Sequence, residues 1–256
     1  MIPRSVLLQR SSPTLCEECR PTLAMPKARK PPDWERLLAD AALLQTKLPG
    51  AVLVGGTAAA VHAHHRISMD HDHVIKDLSK HYDTAIAALE SIVGWRTKRR
   101  IKGKLVLGEI DGIDAGLRNQ RRSAPLETVT LDLPDGRKLK LPTVDEMLRI
   151  KAYLVVQRNA TRDYLDTAAL SHLLGLRESA RALDRMNELY REFAGEGGDM
   201  LSTVVVKLAN PDPYDLTEVD LTEYKGIVAP WRDWRAVEGQ CRSLALALLE
   251  QPSETK

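Results

Sequence analysis

The chain is short of aromatic residues, poor in cysteine and almost without net charge, and each shortage removes a class of protein. One Phe, four Trp and six Tyr among 256 residues leave Leu, Val, Ile and Ala to fill the core. Three cysteines cannot all pair, and a lone Cys16-x-x-Cys19 lacks the second pair that a zinc site needs. A disulfide scaffold is therefore excluded, and a reduced, cytoplasmic protein is expected. The longest near-apolar stretch, Ala51 to Ala63, holds 13 residues, where a bilayer-spanning helix needs about 20. Near the start only Val6-Leu7-Leu8 is apolar, so neither a secretory leader nor a membrane role is expected. Lys and Arg number 37 against 35 Asp and Glu, a net +2, too little to imply a polyanionic partner. The length suits one large domain or two smaller ones, and can bury a core without disulfides or structural metal.

Charge becomes informative once it is divided. Residues 95–140 carry twelve Lys or Arg and six Asp or Glu, a local +6, which leaves −4 for the rest. Arg96, Lys98, Arg99, Arg100, Lys102 and Lys104 form the dense part, followed by Arg118, Arg121, Arg122, Arg137, Lys138 and Lys140. Such a stripe attracts phosphates to one place, although Arg137–Lys140 reads better as solvated strand ends.

Residues 1–32, with six of the fourteen prolines and six basic residues, show no periodicity and are expected to be a disordered extension; Met25 is a second candidate start. Asp33 can cap a helix with apolar Trp34, Leu37, Leu38, Ala41, Leu44 and Leu48, stopped by Pro49-Gly50. A short β-prone run, Ala51–Val54, leads to Gly55-Gly56-Thr57 and an alanine-rich helix to about His64. Residues 70–76 alternate as a strand, and a helix is expected over Leu78–Val93, closed by Gly94. From Trp95 the period is two, with hairpin turns at Lys102-Gly103, at Asp111-Gly112 and around Leu133–Gly136. Thr143-Val-Asp-Glu146 is a capping box opening a helix to about Gln157. Further helices are expected at 162–174, 179–193 and 232–249, the last with Val237, Cys241, Leu244 and Leu248 on one face, while 195–230 reads as loop. The expected fold class is α+β: a mixed sheet core with helices over 33–142, then a helical C-terminal half over 143–256.

One constellation carries chemistry. Gly55-Gly56 is followed, after thirteen residues, by Asp70-x-Asp72. Strand alternation puts both aspartates on one face, with His71 and His73 on the other. Two carboxylates so close repel unless a cation lies between them. Magnesium accepts two carboxylates together with phosphate oxygens and water. The glycines let backbone approach a ligand, and the helix behind them offers its first amides to an anion. Neither element alone is specific, but strand, Gly-Gly, helix and Asp-x-Asp strand in that order is.

In these motifs the chain resembles the DNA polymerase β-type nucleotidyltransferase superfamily, and within it the AbiEii-type abortive-infection toxins. Two further stretches carry the resemblance: Leu141-Pro-Thr-Val-Asp-Glu-Met-Leu-Arg-Ile-Lys151-Ala, where the family has a lysine on the first helix of its helical half, and Arg162-Asp163-x-x-Asp166. The resemblance implies transfer of a nucleoside monophosphate from a nucleoside triphosphate to an acceptor hydroxyl, with one or two magnesium ions. It implies catalytic roles for Asp70, Asp72, Lys151 and Asp163, nucleotide binding by Gly55, Gly56, Thr57, Arg66 and Lys151, and metal binding by Asp70, Asp72 and a third carboxylate. Glu109, Asp111 and Asp114 compete for that third place; Asp114 is favoured because relatives carry an acid after such a turn, while Asp111 is spent on the turn itself. The stem of Lys151 can pack while its ammonium reaches the cleft and faces the triphosphate. Asp163 could hold Lys151 or orient the hydroxyl, and Asp166 is expected to orient Arg162 or cap structure. The implied acceptor is RNA, in particular a tRNA 3′ end, and the implied partner a separately encoded antitoxin protein. Transfer to a protein or small-molecule hydroxyl is the nearest alternative.

Two other classes compete. Six of the seven histidines fall between His62 and His81, which suggests a His/Asp metal-dependent hydrolase. Against it, His71 and His73 point away from Asp70 and Asp72, and no His-x-His-x-Asp-His run is present. A non-catalytic nucleic-acid binder would use the basic stripe, but that stripe offers Trp95 alone for base stacking, and it leaves the carboxylate pair unexplained.

Overall fold

A computed structural model describes residues 33–194 and 199–250. The expected extension over 1–32, with Cys16 and Cys19, lies outside them. The described residues form one compact unit, and its fold is α+β, as the period changes require.

Helix α1, Trp34–Lys47, begins where Asp33 accepts from the Glu35 amide, and buries Leu37, Leu38, Ala41, Ala42 and Leu44. Strand β1, Val52–Val54, runs into α2, Gly55–Ala63, then β2, Asp70–Ile75. Helix α3 spans Tyr82–Glu90, shorter than the expected Leu78–Val93. Asp77 takes a left-handed φ of 56°, and the Leu78 amide donates to the Asn119 side chain at 2.8 Å, so the chain turns before it coils. At the far end Ile92 is buried, while Val93 is 91% exposed. The turns at Lys102-Gly103 and Asp111-Gly112 form as expected. Strands β3, Trp95–Ile101, β4, Leu105–Ile110, and β5, Ile113–Asn119, make a meander. Its second turn has positive φ at both Asp111 and Gly112, the primed geometry that matches strand twist.

The sheet order is β1-β2-β5-β4-β3, with β2 and β5 parallel and the other pairs antiparallel. Its register gives each face one chemistry. The row Leu53–His73–Leu117–Val106 crosses the sheet on one face. There Leu117 and Val106 join Leu44, Leu78, Ile86 and Leu89 in a core under α1 and α3. The opposite face carries the rows Asp70–Asp114–Glu109–Arg96 and Val54–Asp72–Gly116–Leu107–Arg99.

Strands β6, Thr128–Asp132, and β7, Lys138–Pro142, form a separate hairpin. Arg137 pairs with Asp135 and Lys138 with Asp132, so these cations are partnered locally. Helix α4, Val144–Arg158, starts on the Thr143 hydroxyl, which accepts from the Glu146 amide at 3.2 Å. The other half of the capping box is redirected, because Glu146 is fully buried between Arg122 and Arg149, each at 2.8 Å. Helix α5 spans Thr161–Leu174 and α9 spans Trp234–Leu249, with Val237, Cys241, Leu244 and Leu248 buried as expected. The single helix expected at 179–193 is instead α6, Leu176–Asp184, then α7, Met186–Leu189, and a 3₁₀ turn. The stretch read as loop contains a helix, α8, Met200–Ala209, which buries Met200, Val204 and Leu208.

Candidate active site

Asp70 and Asp72 project from β2 on the face away from the α1/α3 core. His71 and His73 are fully buried on the core face, their rings 5.4 Å apart. Burial pushes the His71 imidazole down to about 4, so it stays neutral at ordinary pH. Ser68 donates to Asp70 Oδ1 at 2.9 Å, and the Thr57 hydroxyl donates to the Asp70 carbonyl oxygen. Thr57 thus fixes the strand start to the helix start.

The glycines shape the space around Asp72. Gly55 has a φ of +76°, and a Cβ there would meet the Asp72 side chain at 3.4 Å. Gly116 lies beside Asp72 on β5, and a Cβ there would fall 2.1 Å from Asp72 Oδ1. The carboxylate occupies the room that residue leaves. No side chain caps α2, whose first-turn amides therefore remain available to an anion. Burial, and next the charge of Asp70, push the Asp72 carboxyl up, while Arg118, Arg162 and Lys151 pull it down. Arg118 Nε is 3.7 Å from Asp72 Oδ1. Two carboxylates under mutual repulsion, with oxygens held by small neighbours, fit a hard divalent cation that also takes phosphate and water. Among the described residues, no three His, Cys, Asp or Glu side chains converge as a metal cluster. The histidines do not supply one. His62 Nε2 is engaged with the Pro142 carbonyl at 2.8 Å, and His65 with Asp166.

Behind the aspartates lies a buried ionic network. Asp166 of α5 is fully buried and accepts from Arg66 Nε at 2.9 Å, Arg66 Nη2 at 3.1 Å and His65 Nε2 at 2.7 Å. Lys151 Nζ lies 2.7 Å from the same carboxylate and 3.6 Å from Asp163. Lys151 is 2% exposed, so its ammonium is enclosed. Asp163, also buried, receives Arg158 on both oxygens, at 2.8 and 3.1 Å. Asp166, expected to orient Arg162 or cap structure, instead holds Arg66, whose fork reaches it from the loop after α2, while Arg162 is exposed. Arg66 is able to lie there because residue 56 is glycine, where a Cβ would meet its Nη2 at 2.5 Å. Burial works against the charge of Asp166, but Arg66, Lys151 and His65 outweigh it and hold the carboxyl well below its usual range.

No protein-family model matches the chain. A segment is 36% identical over 135 residues to heme uptake protein MmpL11 of Mycobacterium tuberculosis, covering 51% of this chain and 13% of that protein. Another comparison, with the mycolic acid-containing lipids exporter MmpL11 of Mycolicibacterium smegmatis, gives 30% over 163 residues, 64% of this chain and 16% of that protein. The chain thus spans less than a fifth of the length of these curated relatives. Among solved structures it is similar to JHP933 from Helicobacter pylori, with TM-score 0.47, 15% identity, and coverage of 84% of this chain and 91% of that one. It is also similar to an antigenic nucleotidyltransferase-like protein from Paracoccidioides brasiliensis, with TM-score 0.46, 16% identity, and coverage of 72% and 90%.

Of the residues singled out in the sequence, Asp70, Asp72 and Gly55 meet at one place, with Asp114 opposite Asp70 in register. Arg66, Lys151 and Asp163 belong to the buried network behind. Asp111 sits in its turn, near Arg36. The sequence places Arg118 only in the basic stripe and gives no role to Ser68, to Gly116 or to Tyr224, whose ring lies 5.6 Å from the Arg66 guanidinium. Gly116 alone left a signal, a glycine inside a strand, which marks a close approach. Among the described residues no helix is long and apolar enough to cross a membrane.

Proposed function

We propose that the chain is a magnesium-dependent nucleotidyltransferase that moves a nucleoside monophosphate from a nucleoside triphosphate to an acceptor hydroxyl on RNA. The observation that carries this reading is the Asp70/Asp72 pair facing the uncapped start of α2, with Gly55 and Gly116 leaving room around Asp72. Asp70 and Asp72, with Asp114, would hold one or two magnesium ions, which supply charge neutralisation and acidify the acceptor hydroxyl. The chain itself binds and orients. Amides of Gly55 and Gly56 receive phosphate oxygens, and Arg118, with Arg162, adds positive potential beside Asp72. Lys151 acts from behind, its charge felt at Asp72 while Asp166 and Asp163 fix its position.

The acceptor reading rests on Arg99, Arg100, Lys102 and Lys104, all exposed on the hairpin of β3 and β4, where a phosphate backbone would gain charge contacts. The resemblance to AbiEii-type toxins makes a tRNA 3′ end the first acceptor to test, and a cytoplasmic toxin with a separate antitoxin the context. Nothing of the transport named for the mycobacterial relatives is carried over, since they match this chain over a small part of their length.

The test is a transfer assay with magnesium, total tRNA and each α-labelled nucleoside triphosphate in turn, with Asp70→Ala as control. Label on RNA that falls at least about a thousandfold in the variant supports the reading. Label on protein keeps the chemistry and changes the acceptor. No label in either protein refutes nucleotidyl transfer to RNA or protein.

A further inference from the structure

Strand β3 contains a lysine in a position that regular pairing would not give it. Arg96 pairs with Glu109 and Thr97 with Gly108, but it is Arg99, not Lys98, that pairs with Leu107. Lys98 is the extra residue of a β-bulge, a device that re-aims a side chain and recurs beside active sites. The bulge adjoins the row Asp70–Asp114–Glu109. From it Lys98 Nζ reaches Glu109 Oε2 at 2.5 Å and also bonds Asp114 Oδ1. Arg96 takes the other Glu109 oxygen, with Nε at 3.0 Å, so Glu109 is neutralised from two sides and held below its usual range. Glu109 is therefore an anchor for Lys98, and Asp114 is the carboxylate that shares Lys98 with it.

We propose that Lys98 is a tethered cation that occupies the charge position beside Asp114 and competes with a second divalent ion there. The inference rests on metal binding at Asp70 and Asp72 as proposed above. An ammonium and a divalent cation cannot share one carboxylate without strong repulsion. Asp114 is then committed to Lys98 until further oxygen ligands, those of a triphosphate, tip the balance toward the metal. Lys98 makes the second metal dependent on nucleotide, and the fully charged site assembles only with substrate present.

The test reads Mn²⁺ binding directly, by the electron paramagnetic resonance of free Mn²⁺, without nucleotide. The proteins are wild type, Lys98→Met, Lys98→Met with Asp114→Asn, and Asp72→Asn, each checked for an unchanged thermal melt. Lys98→Met keeps the aliphatic stem, and Glu109 retains Arg96. Wild type is expected to bind one Mn²⁺, lost in Asp72→Asn. Lys98→Met is expected to take up a second, about tenfold or more tighter than any second site in wild type. The double variant is expected to lose that gain. Equal binding by wild type and Lys98→Met, with Asp72→Asn still deficient, overturns the role of Lys98 and leaves the metal site standing. A gain that survives in the double variant overturns it too, because Asp114 is then not the ligand. Binding by none of the four overturns the metal reading and this inference together.

Discussion

Replacing Asp166 by Asn should cost more stability than any exposed ion pair in the molecule. The side chain keeps its shape and loses its charge, while Arg66 and Lys151 keep theirs. Asp166 is fully buried, Lys151 is 2% exposed and Arg66 8%, so neither cation can turn to water without opening the core. Lys151 would retain only Asp163 at 3.6 Å, and that carboxylate already serves Arg158. Breaking one partner out of a buried ionic network costs about 3–5 kcal/mol, against a total of about 5–15 kcal/mol for a typical domain. In a unit of this size each kcal/mol moves the midpoint by about 2–4 °C, so the expected fall in Tm is about 6–20 °C. The control is Asp132→Asn, whose side chain is 75% exposed opposite Lys138 and should change stability by no more than about 0.5 kcal/mol. The pH dependence has a definite sign. The folded carboxyl of Asp166 lies well below its unfolded value of 3.8, so its stabilisation is complete above that value and is lost as pH falls through the folded one. Urea titrations of wild type and variant should run parallel from pH 8 to pH 5 and converge only below about pH 4. A difference under about 1 kcal/mol at pH 7 would refute the claim that this network is a tight buried cluster.

Gly116→Ala places a methyl where Asp72 Oδ1 now lies; since a displacement of about 1 Å costs about a hundredfold in rate, transfer activity should fall by that order. A variant with unchanged activity would show that Asp72 does not need that space. His71 titrates at about 4 in the fold and at 6.5 when unfolded. The unfolded chain therefore binds more protons between those values, so stability should decrease as pH is lowered through that range, by about 1.4 kcal/mol per unit. His71→Leu should remove that part of the slope, leaving the part due to His73, and an unaltered slope in urea titrations at pH 7 and pH 5 would exclude His71 as its source.

The fold was most legible where backbone chemistry is local. Asp111-Gly112 needs two positive φ angles, and only a few residue types adopt them cheaply, so that turn announces itself. The same holds for Asp33 as a cap and for the 3.6-residue rhythm of α9. Helix α3 reads longer in the sequence because Leu78 and Val93 fit its period, yet Leu78 is buried by tertiary contacts before the helix begins and Val93 is exposed beyond its end; periodicity alone cannot separate such residues from helical ones. Helix α8 was missed for the opposite reason. Its own pattern, Met200, Val204 and Leu208, is regular, but it lies in a window whose glycines, prolines and seven acids dominate the average.

The site divides along the same line. Asp70 and Asp72 share a face because strands alternate, and sequence suffices to say so. Which cation meets which carboxylate depends on register between strands far apart in the chain, and on where the loop after α2 brings Arg66. Nothing in Arg162-Asp163-x-x-Asp166 tells that Asp166 will be claimed by an arginine a hundred residues upstream. Nor does Arg-Thr-Lys-Arg in β3 disclose a bulge, since the slip exists only relative to β4. Charge counting finds twelve cations in 95–140 and sets apart only Arg137–Lys140, as solvated strand ends. The structure sorts them by partner: Arg96 and Lys98 serve Glu109 and Asp114, Arg122 serves Glu146, and Arg137 and Lys138 serve their own hairpin. What the hairpin of β3 and β4 still offers a phosphate backbone is therefore Arg99, Arg100, Lys102 and Lys104. Charge reversal at those four should weaken RNA binding and leave Mn²⁺ binding at Asp70 and Asp72 intact.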